Sequence, residues 1–193
     1  MVSHMPRVYS SARTKILDAA ERLVLRDGPQ GLSVDAVLRE AAVSKGGFFH
    51  HFKTKEALLA SLLERLAGAF NEQLARASQH RRGVLPAMIS IAFDMPHAER
   101  ERTRALVLAL LAAVMDAPRV AKAARDANEQ SLTLARKSGV EVGVALVVQL
   151  ALDGYFLGES FGTLKLDNKQ KRALRDTLMD LVERRPKGAH RAP

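Results

Sequence analysis

The densest chemistry in the chain lies between Ser44 and Lys55, SKGGFFHHFKTK, where three lysines, two histidines, two glycines and two hydroxyls fall within twelve residues. Such a set could hold a metal, act as acid and base, or grip an anion. The first two readings fail on geometry. His50 and His51 are neighbours, and adjacent residues on a helix point roughly 100° apart, too far to share one ion readily. Elsewhere Asp94, His97 and Glu99 gather around Pro96, but they read as an exposed polar turn, and no nucleophile stands at a working spacing from a base. An anion remains. Lysines supply charge for phosphate, and glycines let a backbone come close. Two glycines inside a helix cost roughly 1–2 kcal/mol in propensity; close approach of a nucleic-acid backbone would offset that.

The elements that must carry these residues can be read from caps and stripes. Ser44 is an N-cap candidate for a short helix from Lys45 to about His50, with Phe48 and Phe52 as its core anchors. Before it, Ser33 can cap a helix whose apolar residues Val34, Val37, Leu38 and Ala41 repeat at i, i+3, i+4, i+7, leaving Asp35, Arg39 and Glu40 outside. Ala42 and Val43 cross the turn between them. Upstream, Ile16, Ala19, Ala20, Leu23 and Val24 form a third stripe that stops at Asp27-Gly28, with glycine in the C-cap role. Residues 11–52 thus predict three helices around Ile16, Leu23, Val37, Phe48 and Phe52. A helix-turn-helix in second and third place is a DNA-binding architecture.

The string VSKGGFFHHFKTKEALL, Val43 to Leu59, resembles the signature of TetR/AcrR-type bacterial transcriptional regulators. Thr14-Lys15-Ile16-Leu17-Asp18-Ala19-Ala20, followed by Gly28 and Ser33-Val34, is similar to the first part of the same pattern. The resemblance covers residues 11–60 and implies roles at the matching positions. Thr14 and Ser33 would face phosphates from the starts of the first two helices. Ser44, Lys45, Gly46 and Gly47 would open the recognition helix, with Lys45 and Gly47 near base edges. Phe49 and His50 would lie along the sugar-phosphate wall, and Lys53 and Lys55 would grip phosphate. Phe49 stands where the family often has tyrosine, so it lacks a donor hydroxyl; Gly47 stands where threonine or alanine is common, so it lacks a methyl for thymine.

Composition is consistent with this. At 193 residues the chain allows one or two domains and a sizeable core. With no cysteine there is no disulfide and no thiolate metal site, which fits a cytoplasmic location; neither a cofactor nor a metal is expected. The net charge of +9 favours phosphate through counterion release, although four of the basic residues sit in the last ten positions with no acid among them. No secretory signal is evident. The most apolar runs, Ala105–Met115 and Val140–Leu152, are short for a membrane span.

From Thr54 onward helical patterns continue without strand alternation, so the predicted fold is all-α with nine helices. A disordered arm or expression remnant (1–10) would precede the helix-turn-helix domain (11–53). A helical effector-binding and dimerisation domain (54–184) and a basic disordered tail (185–193) would follow. The eighth helix shows no continuous polar face, so it must be covered on all sides. A homodimer packing the eighth and ninth helices of each subunit would achieve that, with Leu146, Leu150, Leu157, Leu174, Leu178 and Leu181 at the interface. The resemblance also implies a small-molecule effector. Soft and aromatic residues (Phe70, Met88, Phe93, Met95, Met115, Tyr155, Phe156, Phe161), together with polar Asn128, Gln149 and Asp153, could line a mostly apolar pocket for a hydrophobic or aromatic ligand. Equally, Met and Phe could fill core gaps while Gln149 and Asp153 pair across a dimer. The implied function is a ligand-responsive, homodimeric regulator, a repressor, on a two-fold DNA operator. An all-helical enzyme and an effector-independent architectural DNA-binding protein are the alternatives.

Overall fold

The computed structural model describes residues 11–28, 31–80, 83–114, 117–136 and 139–183, and among them the chain forms nine α-helices and no strand. They are α1 (Ala12–Asp27), α2 (Val34–Ala41), α3 (Lys45–His51), α4 (Lys55–His80), α5 (Val84–Asp94), α6 (His97–Val114), α7 (Pro118–Arg136), α8 (Val142–Phe161) and α9 (Asn168–Glu183). The expected arm, the basic tail and Met115 lie outside the described residues.

Punctuation in the sequence sets the ends of these helices. Ser11, Ser33 and Ser44 cap α1, α2 and α3, each side chain accepting from a backbone N–H three residues on. Thr54 does the same ahead of α4, accepting from Ala57 N at 3.0 Å. Gly28 closes α1 at φ 72°, donating to the carbonyl of Val24, a conformation that only glycine adopts freely. The turn between α2 and α3 requires the same region, and there Ala42 takes it at φ 52°. At the start of α9, Asp167 accepts from the N–H of Lys169 and Gln170, while Gln170 Oε1 accepts from the N–H of Asp167.

Contacts divide the described residues into two compact units, one within residues 1–65 and 102–123, the other within residues 66–101 and 124–193. The division between these units falls within α4, α6 and α7. Leu58, Leu59 and Leu62 in the first turns of α4 are buried, as are Leu106, Leu110 and Val120, and all belong to the first unit alongside α1 to α3. Its fully buried side chains include Ile16, Val37, Phe48 and Phe52. In the second unit Leu74, Leu85, Met88, Ile89, Val148, Leu152 and Leu178 form the core.

Helix α8 runs 20 residues, with mean hydropathy 1.4 in its most apolar window, and by length and composition alone is long and apolar enough to cross a bilayer. Within one chain it is not covered all round. Ala145, Val148, Leu152 and Tyr155 are buried, while Leu150 is 68 %, Phe161 60 % and Val147 52 % exposed.

Candidate functional site

The surface built by α3 is held from beneath by two aromatic anchors. Phe48, with no exposed surface, packs edge-on against Phe49 (ring centroids 5.3 Å apart) and lies 5.9 Å from the buried Phe52. That fixes which residues face outward: Lys45, Gly46 and His50 are exposed, and Gly47 and Phe49 are partly so. Gly46 meets no obstruction. A Cβ built there would find nothing within 4 Å, and one on Gly47 would meet only Ser44 Oγ at 3.3 Å. Neither glycine is demanded by packing within the chain.

The remaining candidate contacts gather at helix starts. Thr14 is exposed in the first turn of α1, its hydroxyl sharing a 2.9 Å hydrogen bond with Ser11. Ser33 and Ser44 are exposed, and each uses an oxygen lone pair for its cap, which leaves the O–H free to donate to an anion. Lys53 and Lys55 are exposed where α4 begins. Ion pairs brace this assembly from outside. Glu40 of α2 accepts from Arg22 at 2.9 Å and Arg26 at 3.1 Å on α1, and the hydrogen bond from Arg22, then that from Arg26, holds its carboxyl below the usual carboxylate range.

Two connections escaped the sequence reading. Glu56, one residue past Lys55, accepts from Arg119 N at 2.6 Å and so caps the first turn of α7. Glu21 on α1 is 8 % exposed and receives guanidinium groups from both Arg65 on α4 and Arg102 on α6. An acid at i+3 from Asp18, beside an apolar stripe, was the available signal. Its partners lie 44 and 81 residues away, beyond any local pattern.

In the second unit a groove of about 970 Å³ opens between α4, the start of α5, and α7. It is lined by Asn71, Leu74, Ala75, Ser78, Gln79 and Val84, and by Asp126, Glu129, Gln130, Thr133 and Leu134. Asn71 donates to Gln130 Oε1 at 3.3 Å. None of the residues expected to meet an effector lines it. Met88 is buried in the core, with Phe70 and Phe93 packed against it. Phe93 stacks on Tyr155 with centroids 4.8 Å apart and planes 10° from parallel. Arg100 and Lys171 lie about 6 Å over the same tyrosine ring and both pair with Glu159. Burial, then the hydrogen bond to Glu159, pushes the Tyr155 hydroxyl pKa up. These contacts tie α5, α6, α8 and α9 together around Tyr155. Phe156 is half-buried on α8.

The polar expectations divide. Asn128 is exposed on α7, not buried. Gln149 is buried, accepts from Ser131 Oγ at 3.1 Å, and donates through Nε2 to both oxygens of Asp153 at 3.0 Å. Asp153 itself is exposed; partial burial pushes its carboxyl pKa up against the lowering effect of Gln149. On α9, Leu178 is buried in its own subunit's core, and Leu174 and Leu181 are partly buried against that core. On α8, Leu146 and Leu150 are exposed and Leu157 is half-buried.

Comparison with known proteins gives the same picture over most of the chain. Residues 16–62 match the family "Bacterial regulatory proteins, tetR family" and residues 82–183 match "Tetracyclin repressor-like, C-terminal domain". The HTH-type transcriptional regulator UidR of Escherichia coli (strain K12) is 30 % identical over 125 residues, which is 63 % of this chain and 61 % of that protein. The HTH-type transcriptional repressor NemR of the same strain is 35 % identical over 71 residues, 37 % of this chain and 36 % of that one. Among solved structures, the multidrug binding protein EbrR in complex with imidazole superposes with a TM-score of 0.74, covering 95 % of this chain and 99 % of that one at 24 % identity. Its complex with ethidium gives 0.73 over 90 % and 99 % at 22 % identity. Likeness at those identities speaks for the fold alone. The two family matches fall on the segments that carry α1 to α3 and α5 to α9, and on them the chain belongs to the tetR family of bacterial regulatory proteins.

Proposed function

We propose that the chain is a homodimeric, ligand-responsive transcriptional regulator acting as a repressor, with the α3 helix of each subunit reading one half of a two-fold DNA site. The observation that carries this reading is the outward face of α3. Lys45, Gly46 and His50 are presented without side-chain obstruction on a helix anchored by Phe48. Thr14, Ser33, Ser44, Lys53 and Lys55 position the head on phosphates, while Lys45 and Gly47 meet base edges and Phe49 rides on the backbone wall. Two-fold pairing through Leu146, Leu150 and Leu157 of α8 would set two heads against successive major grooves, roughly 34–36 Å apart.

The groove on α4 and α7 is the effector site in this reading. Its lining of amides, hydroxyls, two carboxylates and a few aliphatic side chains favours a small ligand with an apolar face plus hydrogen-bonding or positively charged groups. This is more polar than the hydrophobic ligand expected from the sequence. EbrR, which shares the fold, has been solved with imidazole and with ethidium. A ligand releases DNA only insofar as it binds the released arrangement more tightly than the DNA-bound one.

Selection from a random duplex pool tests the first claim: the protein should enrich an inverted repeat, and enrichment of nothing above background would overturn it. Ethidium titrated into the resulting complex tests the second. Release abolished by Gln130→Leu is expected, and release unaffected by that change would move the effector site elsewhere.

A further inference from the structure

The DNA-reading head needs more than a folded core, because its angle on the rest of the subunit decides where α3 points. In the first compact unit the carboxylate of Glu21 ties α1 to two other helices. Glu21 lies on α1, which shares its core with α3 through the buried Ile16, Phe48 and Phe52. Any tilt of α1 is therefore a tilt of the reading helix. Both oxygens of Glu21 are engaged. Oε1 accepts from Arg102 Nε of α6 at 2.7 Å, and Oε2 accepts from Arg65 Nη2 of α4. The other arm of Arg65 donates to Asp18 Oδ1 at 2.6 Å, one turn earlier on α1. The Glu21 side chain is 11 % exposed, so these bonds face little competition from water.

An apolar contact between helices tolerates sliding and rotation, whereas a planar guanidinium facing a carboxylate has a preferred direction. Two guanidinium groups arriving at one carboxylate from two helices, one on each oxygen, constrain its position. We propose that Glu21 is the positioning residue that fixes the projection of the reading head from α4 and α6, and so selects the spacing between half-sites without selecting their sequence. The proposal rests on the dimeric reading above.

The test uses the full chain and duplexes carrying two copies of the half-site selected by the wild type, with the spacer changed one base pair at a time. Wild-type protein should prefer one spacer. Glu21→Gln keeps the shape and loses the charge; its discrimination against neighbouring spacers should fall by roughly tenfold, as for one lost charged hydrogen bond, with the half-site consensus unchanged. Arg102→Gln removes only the α6 arm, at a side chain that is 55 % exposed, and should give a smaller loosening in the same direction. If Glu21→Gln does not fold by circular dichroism, Arg102→Gln decides alone. Unchanged spacer preference in a folded variant overturns the proposal, as does a changed half-site consensus. A wild type that occupies isolated half-sites with no preferred spacer overturns the dimeric reading, and this proposal with it.

Discussion

Helices α3 and α8 both present to solvent residues that an isolated helix would not choose, but of opposite kinds. Beneath the surface they are ordinary: α3 is pinned by Phe48, and α8 by Ala145, Val148 and Leu152. Outward, α3 gives up helix propensity by placing Gly46 where nothing crowds it and Gly47 where only Ser44 Oγ comes near. Outward, α8 gives up hydration by exposing Leu146, Val147, Leu150 and Phe161. Each sacrifice points to a different partner. Missing side chains on a cationic, hydroxyl-rich surface suit the close approach of a polyanion. Excess apolar side chains suit a surface like themselves, which a second copy of α8 would provide under the two-fold symmetry proposed above.

The largest expected effect breaks the apolar half of this comparison. Leu150→Asp places a charge at the most exposed apolar residue of α8, where the isolated subunit has little packing to lose. Folding by circular dichroism should be preserved, while the dimer dissociation constant from sedimentation equilibrium rises by at least ~100-fold, typical of a central interface anchor. A dimer as tight as wild type would remove α8 from the interface. A second substitution sharpens the polar half. Lys55→Ala should weaken binding to every duplex alike and reduce the slope of log affinity against log salt by about 1 per subunit, whereas Lys45→Ala should change which duplexes bind. Equal behaviour of the two would erase the distinction between gripping and reading residues.

How far the sequence revealed each region follows from how local its physics is. The caps at Ser33 and Ser44, the stop at Gly28 and the Ile16, Val37 and Phe48 anchors depend on neighbours within one or two turns, and periodicity displays them. The groove depends on α4 meeting α7, and it is lined by ordinary residues such as Asn71, Ser78, Gln130 and Thr133, which carry no signature. Met88, Phe93 and Tyr155 have the size and softness expected of a pocket lining, yet they pack within the unit. A stripe like Leu174, Leu178 and Leu181 announces burial without saying against what; here it is the subunit's own core. Helix α8 showed the converse, since an all-apolar sequence did not reveal which face stays open. Glu21 was invisible because a buried acid is recognised by its partners, and these sit on other helices.

The smallest effect is the most discriminating, because it should improve stability and harm function together. Gly46 does not adopt a positive φ, and a Cβ there meets nothing within 4 Å. Gly46→Ala should therefore raise the stability of the isolated protein by about 1 kcal/mol, partly by restricting the unfolded chain. Thermal unfolding would register the gain. If the open face of α3 exists to admit a nucleic-acid backbone, the added methyl should lower affinity for the selected duplex while leaving dimerisation through α8 untouched. A variant that is more stable and binds DNA equally well would show that the space beside Gly46 is incidental. The cost of glycine in α3 would then have no counterpart in recognition, and the parallel with the exposed leucines of α8 would fail from the polar side.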